Sequence, residues 1–333
     1  MRIVCIGGSG HYPYVLRAFQ YDQSLEMCAA APGSADESIE KLLQDCRDTG
    51  ENPAVYDDYR LMLDDVRPDV VVVNCFFGLH GQINASVIER GFALYAEKPL
   101  TTSLEEFDRL WSVWRERRTP LACMFGLRYT PWFFTAWTLV QQGAVGTVRL
   151  MNAQKSYRLG SRGAHFRERR LYGGTIPWVG SHGIDWLHWF SGHRFTSVTA
   201  AQSRQGNCGH RELEVSALCQ FVMEDEVLGS VSVDYFRPES APSHDDDRLR
   251  VVGTEGVIEV RNHQVYLLNS SSDGLERQPL EDGGSSFLDF ADSIRGQSVC
   301  RVSGEESFHV TEACLRAQRA ADRHTVERWG GDG

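Results

Sequence analysis

The sequence lacks the long apolar runs, the paired cysteines and the basic excess that would assign it to several large classes of protein. Asp, Arg, Gln or Glu interrupts every stretch that approaches the roughly 18 apolar residues of a membrane helix. None of its nine cysteines forms a Cys-x-x-Cys pair, which favours reduced thiols over disulfides or structural zinc. A net charge of −11 disfavours nucleic-acid partners, because phosphates would be repelled. We therefore expect a small-molecule ligand and no membrane partner.

The beginning of the chain lacks the apolar core and cleavage site of a signal peptide, since Met1–Gly7 enter a short apolar run directly. We expect a cytoplasmic protein. Its 333 residues, of which 42% are hydrophobic, are enough to bury two cores. Two domains are the simplest organisation.

The first third of the chain alternates short apolar strands with helical stretches, as in a doubly wound parallel sheet of the Rossmann type. Its continuously apolar segment Asp69–Cys75 is typical of a central strand covered on both faces. The predicted elements are strands at 2–6, 25–30, 69–75, 93–96 and 121–125, and helices from 13, at 35–47, at 79–90 and from Leu104.

From about Thr147 the apolar residues alternate with period two, which predicts an α+β domain with a mainly antiparallel open sheet. We expect helices beside that sheet at 131–142, at 184–190 and around Phe287–Ile294, and a solvated acidic loop at 243–247. The predicted domains are 1–122, for dinucleotide binding, and 123–333, for substrate binding and oligomerisation. An exposed face on the open sheet suggests a homodimer or homotetramer.

A glycine-rich turn, Gly7-Gly8-Ser9-Gly10, follows the first strand and opens a helix, where backbone N–H groups bind a dinucleotide pyrophosphate. The third glycine of the usual fingerprint is missing, and this glycine permits close packing of helix and strand. An ordinary strand-to-helix turn is the alternative interpretation.

The end of the second strand, Ala31-Pro32-Gly33-Ser34, offers no carboxylate for the ribose hydroxyls. A small hydroxyl-bearing turn tolerates a 2′-phosphate better than a carboxylate does. NADP is therefore slightly favoured over NAD, with Ser34 near the adenosine ribose.

A resemblance to a known family rests first on two blocks, Cys75–His80 and Ala96–Leu100. The second block includes Glu97-Lys98-Pro99. Their order resembles the Gfo/Idh/MocA family, which includes glucose-fructose oxidoreductase, inositol dehydrogenase and many sugar dehydrogenases. The resemblance continues through Phe125–Pro131 and the late segment Arg250–Val260, and it covers essentially the whole chain. It implies that Lys98 is the active-site lysine, whose ammonium hydrogen-bonds a reacting hydroxyl and stabilises the developing alkoxide.

A second block, Gly173–Trp186, resembles the family's Gly-Gly and Asp-x-x-x-His-x-x-Asp motif and places His182 on the catalytic histidine. Trp178 stands where the family usually has the first Asp, and an indole cannot relay a proton. His182 still suits a general base, while Trp178 suits stacking on a sugar face. His182, Asp185 and His188 lack the thiolates and the spacing of a strong zinc site, so we predict no metal. We expect the carboxylate of Asp185 to orient a neighbouring group or to stabilise the start of a helix.

The resemblance and the residues together give two sets of binding candidates. The cofactor-binding candidates are Gly7, Gly8, Ser9, Gly10, His11, Tyr12, Ser34, Cys75, Phe76, His80, Glu97 and Lys98. The substrate-binding candidates are Arg128, Tyr157, Arg158, Trp178 and Asp185. The arginine-rich segment 158–170 could bind an anionic substrate, although surface ion pairs are the commoner role of such a cluster.

The sequence thus predicts an NAD- or NADP-dependent oxidoreductase that transfers a hydride between nicotinamide and a secondary alcohol of a sugar, sugar derivative or cyclitol. Two alternatives remain open. One is a glycosidase or lyase of the same family that uses tightly held NAD for net non-redox chemistry. The other is a non-catalytic nucleotide- or sugar-binding protein.

Overall fold

Two sheets, each with its own helices, make up the architecture. The computed structural model describes residues 1–330, so the last three residues of the predicted second domain, 331–333, lie outside the described residues. By their internal contacts the residues form two compact units. Unit 1 comprises Met1–Gly126, Arg170–Gly173 and Gly284–Thr311, and unit 2 comprises Leu127–Arg169, Gly174–Gly283 and the chain from Glu312.

The predicted boundary between residues 122 and 123 falls close to Gly126, where the first segment of unit 1 ends. Unit 1 also contains two later segments, Arg170–Gly173 and Gly284–Thr311. A single boundary in the sequence therefore cannot divide the chain into these two units. The division of nucleotide and substrate binding between two domains stays a prediction.

Unit 1 contains a six-stranded sheet in the order β3-β2-β1-β4-β5-β6, and every neighbouring pair is parallel. The predicted Rossmann-type sheet is confirmed. Its strands are β1 (Arg2–Ile6), β2 (Glu26–Ala31), β3 (Ala54–Val55), β4 (Val70–Val73), β5 (Ala93–Ala96) and β6 (Leu121–Cys123).

Unit 2 contains a nine-stranded sheet in the order β14-β13-β12-β11-β7-β10-β9-β8-β15, in which only β7 and β10 pair in parallel. The prediction of a mainly antiparallel sheet is confirmed. Its strands are β7 (Val148–Tyr157), β8 (Phe195–Ser203), β9 (Ser216–Met223), β10 (Leu228–Asp234), β11 (Asp245–Gly253), β12 (Gly256–Arg261), β13 (Gln264–Asn269), β14 (Glu276–Gln278) and β15 (Glu327–Arg328).

The helices of the described residues are mostly short, and none combines the length and apolar character needed to span a bilayer. They are α1 (Pro13–Ala18), α2 (Glu40–Asp48), α3 (Tyr59–Val66), α4 (His80–Glu89), α5 (Leu104–Arg117), α6 (Pro131–Gln141), α7 (Arg169–Tyr172), α8 (Ser181–Ser191), α9 (Ser286–Ile294) and α10 (Gly304–Arg323). A π-helical turn, Ile176–Gly180, leads directly into α8.

The core of unit 1 lies on both sides of its sheet. All four valines of β4 are fully buried, as the uninterrupted apolar run predicts for a strand covered on both faces. Two elements escape sequence patterning: β3 is only two residues long and exposed, and α3 follows it closely. The helix predicted from residue 35 begins at Glu40, because Glu37 folds back to accept a hydrogen bond from the backbone N–H of Gly33.

The core of unit 2 lies on one face of its sheet, where α8 packs on β7 and β10 and α6 packs on β12 and β13. The opposite face carries polar side chains together with exposed apolar ones. This alternation is the period-two pattern of the sequence. The exposed apolar residues on these strands include Leu150, Leu218, Val222 and Leu228.

Two placements differ from the predictions. Helix α9 does not flank the antiparallel sheet: it belongs to unit 1, where Phe287 and Phe290 pack against Tyr95 of β5 and Ser286 accepts the tyrosine hydroxyl's hydrogen bond. The acidic segment 243–247 is not a solvated loop. Its aspartates begin β11, and Asp247 is buried in an ion pair with Lys155 of β7.

We predict that Gly7→Ala lowers the free energy of unfolding more than Gly91→Ala. Both glycines have φ near +82°, so the backbone strain is matched. A methyl group on Gly7 would lie 2.3 Å from Cα of Cys75, whereas one on Gly91 meets nothing within 4 Å. The overpacking adds about 1 to 3 kcal/mol for Gly7. Urea denaturation measures both variants, and equal losses would contradict the close approach.

Candidate active site

The glycine turn (Gly7–Gly10) sits where the carboxyl ends of the parallel strands converge, the edge at which open α/β sheets bind ligands. The backbone N–H of Ser9 donates to the carbonyl of Asn74, 2.8 Å away, just beyond β4. A methyl group on Gly10 would lie 2.5 Å from Oε2 of Glu97 and 2.6 Å from Oδ1 of Asn74. Only glycine therefore fits at position 10.

The side chain of Asn74 is fully buried beside Gly10. Neither its amide nitrogen nor its amide oxygen has a hydrogen-bond partner among residues 1–330. Buried polar groups are nearly always paired, so this amide has unused capacity for a ligand group.

A carboxylate does reach the glycine turn, contrary to the prediction from Ala31–Ser34. Glu37 accepts hydrogen bonds from the backbone N–H of Gly8 (3.2 Å), the hydroxyl of Ser9 (2.6 Å) and the backbone N–H of Gly33 (3.0 Å). Burial raises the pKa of Glu37, and these hydrogen bonds oppose the rise. The sequence argument for NADP over NAD therefore loses its basis.

Glu97 joins the glycine turn to the lysine segment. Its Oε2 lies 2.6 Å from both the backbone nitrogen and ring Nδ1 of His11, and its Oε1 accepts from the backbone N–H of Lys98 at 3.0 Å. Burial raises the pKa of Glu97, but the charge and hydrogen bond of His11, with the charges of Lys98 and His80, lower it to about 2. Glu97 is thus an ionised anchor for two loops.

Lys98 and His80 lie in the same part of unit 1. Lys98 is only 2% exposed and precedes a cis peptide bond to Pro99. The ring nitrogens of His80 lie 2.7 Å from the carbonyl oxygen of Pro99 and 3.1 Å from that of Cys75, and burial lowers the pKa of His80. This ring holds the segments after β4 and β5 in fixed positions.

The remaining cofactor-binding candidates are also in unit 1, at different depths. Ser34 stands in the turn after β2, and Phe76 follows the fully buried Cys75 after β4. Tyr12 is buried, and its hydroxyl donates to Asp45 of α2 at 2.7 Å. The structure therefore assigns Tyr12 a role in helix packing, and its contact with a cofactor stays a prediction.

In unit 2, helix α8 carries the predicted histidine. His182 is buried, and the following Gly183 lets the helix approach β10, since a methyl group there would lie 2.6 Å from the side chain of Val231. Asp185 accepts from Nη2 of Arg128 at 2.6 Å and from its Nε at 3.1 Å, and both side chains are at most 1% exposed. This ion pair fixes the orientation of α8.

Sequence comparisons match the two halves of the chain to two profiles. One, described as "Oxidoreductase family, NAD-binding Rossmann fold", matches residues 1–125, and the other, "GFO/IDH/MocA C-terminal domain", matches residues 133–259. The chain belongs to the Gfo/Idh/MocA oxidoreductase family. The predicted resemblance is confirmed.

Individual relatives and solved structures are also similar to this chain. A Thermotoga maritima structure described as an oxidoreductase is 43% identical, with a TM-score of 0.95 over 99% of this chain and 100% of that one. Inositol 2-dehydrogenase 2 of Saccharopolyspora erythraea is 24% identical over 83% of this chain and 82% of its own length. Levoglucosan dehydrogenase in complex with NADH and L-sorbose shares the fold, with a TM-score of 0.81, 17% identity and 98% coverage of both chains.

Within this Gfo/Idh/MocA chain, the residues expected to contact substrate fall into two groups. Arg128 and Asp185 are occupied by each other, so their contact with substrate stays a prediction. Tyr157 and Trp178 belong to an aromatic region, where Tyr157 stacks on His244 at 5.1 Å and Trp178 lies 4.3 Å from the ring of Phe166. Arg158 pairs through its backbone with Phe236 at the end of this region.

His182, Asp185 and His188 do not form a metal cluster. Asp185 binds Arg128, and Nδ1 of His188 lies 3.0 Å from the carbonyl oxygen of His193. Within residues 1–330 no group of three His, Cys, Asp or Glu side chains is arranged to hold a metal ion.

Three buried carboxylates were missed from the sequence: Glu37, Glu214 and Asp247. Glu37 lies outside the usual fingerprint position, and Asp247 stands in an acidic run that resembles solvated surface. Asp247 pairs with Lys155 at 2.5 Å, and the lysine's Nζ also lies 4.9 Å from the ring of Tyr157. The signal that could have revealed this pair is a lysine at an inward position of the alternating strand β7.

We predict that Arg128→Gln lowers the free energy of unfolding by about 3 to 5 kcal/mol, because it leaves the buried carboxylate of Asp185 without its counter-charge. Arg109→Gln is the matched control. Its partner Glu89 lies 3.5 Å away at an exposed site, where such pairs contribute at most about 1 kcal/mol. Urea denaturation compares the two, and similar small losses would contradict an anchoring role for the buried pair.

Proposed function

We propose that the protein is an NAD(H)-dependent dehydrogenase that oxidises a secondary alcohol of a sugar, a sugar derivative or a cyclitol. The observation that carries the proposal is the convergence of the glycine turn, the Glu97 anchor and the buried Lys98 at one edge of the parallel sheet. The names of its relatives, an inositol dehydrogenase and a levoglucosan dehydrogenase, support a polyol substrate.

The residues of unit 1 fit a dinucleotide. The glycine turn leaves no room for a side chain at Gly10, and the amide of Asn74, which has no partner among residues 1–330, lies beside it. Glu37 and Ser34 stand at the turn after β2, where acceptors for ribose hydroxyls are needed. When bound there, the nicotinamide supplies a hydride acceptor.

We assign Lys98 to the substrate oxygen. A buried ammonium held by its neighbours donates a hydrogen bond to the hydroxyl and stabilises the alkoxide that develops as the C–H bond breaks. Because Lys98 is almost inaccessible to water, little solvent screening weakens this interaction.

We assign His182 the role of general base, which accepts the proton of the substrate hydroxyl. An imidazole titrates near neutral pH, so it accepts a proton during alcohol oxidation and returns one in the reverse direction. Trp178 precedes it by one turn and cannot share that proton. The Arg128–Asp185 pair helps to hold α8, the helix that carries His182.

NAD is the preferred cofactor in this proposal. The carboxylate of Glu37 accepts from Gly33 and lies at the turn where a 2′-phosphate would stand, and like charges repel. The NADH complex of levoglucosan dehydrogenase is consistent with this choice.

We also propose that the protein assembles as a homodimer or homotetramer. The exposed leucines on the sheet of unit 2 support this assembly.

We predict that Lys98→Ala reduces kcat by about 100- to 1000-fold, the usual effect of removing one preorganised donor. NADH affinity should stay within a few-fold, because the lysine acts on substrate. Lys41→Ala, at an exposed lysine of α2, is the control and should keep full activity. Stopped-flow turnover and NADH fluorescence titration measure the two quantities, and unchanged turnover in Lys98→Ala would remove the lysine from the mechanism.

We predict that Glu37→Gln narrows the preference for NADH over NADPH by about tenfold, equivalent to about 1.4 kcal/mol. The substitution removes the negative charge and keeps the shape of the side chain. Glu40→Gln, exposed at the start of α2, should leave the ratio unchanged. Fluorescence titration at fixed ionic strength gives the dissociation constants of NADH and NADPH. A wild-type preference for NADPH would contradict the proposed role of Glu37.

A further inference from the structure

Two half-buried arginines in the segment after β7 lack the ion pairs that Arg169 forms. Arg169 pairs with Asp322 at 2.9 Å and with Glu214 at 3.8 Å. Arg158 and Arg162 are half-buried, and neither lies within 4 Å of a carboxylate among residues 1–330. The ion pairs expected for the whole arginine-rich segment therefore do not account for these two charges.

The backbone holds the guanidinium groups of both arginines in place. Arg158 donates from Nη2 to the carbonyl oxygen of Ala241, and Arg162 donates from Nη2 to the carbonyl oxygen of Arg158 at 3.0 Å. The Nε–H groups of both arginines are enclosed and have no hydrogen-bond partner in the described part of the chain. Donors without acceptors are costly, and each guanidinium carries further N–H groups that an anion can bind.

Aromatic rings surround the Arg162 guanidinium. Its Cζ lies 4.9 Å from the ring centre of Tyr235, 5.3 Å from Trp178 and 5.8 Å from Phe166. Together with Arg158, these residues form what we call the arginine–aromatic cluster. Ring faces attract a cation without neutralising it, so the positive charge persists.

The cluster adjoins the proposed base. Trp178 belongs to the π-helical turn that leads into α8, and His182 follows it by four residues. The family motif usually supplies a carboxylate at position 178, whereas this chain supplies an indole. Position 178 therefore supplies no negative charge to Arg162 in this chain.

We propose that the substrate is an anionic sugar derivative whose carboxylate or phosphate binds Arg158 and Arg162 while its ring lies against Trp178. Guanidinium groups suit the oxygens of either anion, and aromatic faces suit the apolar face of a sugar ring. This inference rests on the proposed function and narrows its substrate class.

The test measures binding and turnover separately, with the full-length protein and NAD. The carboxylate probes are D-glucuronate, D-galacturonate and D-gluconate, the phosphate probe is glucose 6-phosphate, and the neutral probes are glucose, galactose and myo-inositol. Titration calorimetry gives each dissociation constant at low and high salt, and NADH absorbance reports hydride transfer.

We expect at least one acidic probe to bind more than tenfold more tightly than the neutral probes, and to weaken as salt is raised. Tighter binding of the uronates identifies a carboxylate, and tighter binding of glucose 6-phosphate identifies a phosphate. Arg162→Gln and Arg158→Gln should each weaken that binding by about 10- to 100-fold, as expected for a lost charge-assisted hydrogen bond. Arg167→Gln, an exposed arginine of the same segment, is the matched control and should change nothing.

Circular dichroism melting curves are the control that each variant is folded. If the neutral probes bind as well as the acidic ones, or if Arg162→Gln and Arg167→Gln behave alike, the inference is overturned. Reduction of NAD by a neutral probe would then leave the proposed function standing. Failure of every acidic probe to bind overturns the inference whether or not hydride transfer occurs.

Discussion

The buried carboxylate of Glu97 is the interaction on which the arrangement of unit 1 depends. One side chain accepts from the backbone N–H of His11, directly after the glycine turn, pairs with the ring of His11 and fixes the backbone of Lys98. A carboxylate removed from water has to be compensated by several partners, and these partners are the segments that carry the candidate chemistry. The depressed pKa of Glu97 reports this compensation: positive charge and hydrogen bonds outweigh the cost of burial. The proposed cofactor and substrate groups of unit 1 therefore share one anchor.

The need to compensate buried charges also explains the ion pairs of unit 2. Arg128 with Asp185, and Lys155 with Asp247, are buried charges that neutralise each other, and each pair connects separate segments of the chain. The half-buried Arg158 and Arg162 differ from these pairs, since no carboxylate lies within 4 Å of either among residues 1–330. A departure of this kind is expected at a binding site, where the ligand supplies the missing group.

Much of the fold and part of the site could be predicted because their signals are local or ordered along the chain. The apolar run Asp69–Cys75 indicated a strand covered on both faces, and the alternation after Thr147 indicated a sheet with one buried face. Lys98 and His182 were predicted as catalytic residues because their motifs occur in the family's order, and their roles stay a prediction. Helix α9 was placed beside the wrong sheet, since its apolar face shows that it packs but not against which partner.

The sequence by itself determined the fold class and the positions of the glycine turn, Lys98 and His182, because strand periodicity and short motifs depend on neighbouring residues. Only the tertiary structure decided where charged side chains find their partners. Glu37 reaches the glycine turn from 28 residues away, and Lys155 meets Asp247 across 92 residues. Nothing in the spacing of such residues specifies the pairing, because it arises when separate segments fold together and each buried charge has to be matched. The same folding left Arg158 and Arg162 with no carboxylate within 4 Å in the described residues 1–330, although their segment appears in the sequence as an ordinary run of surface arginines.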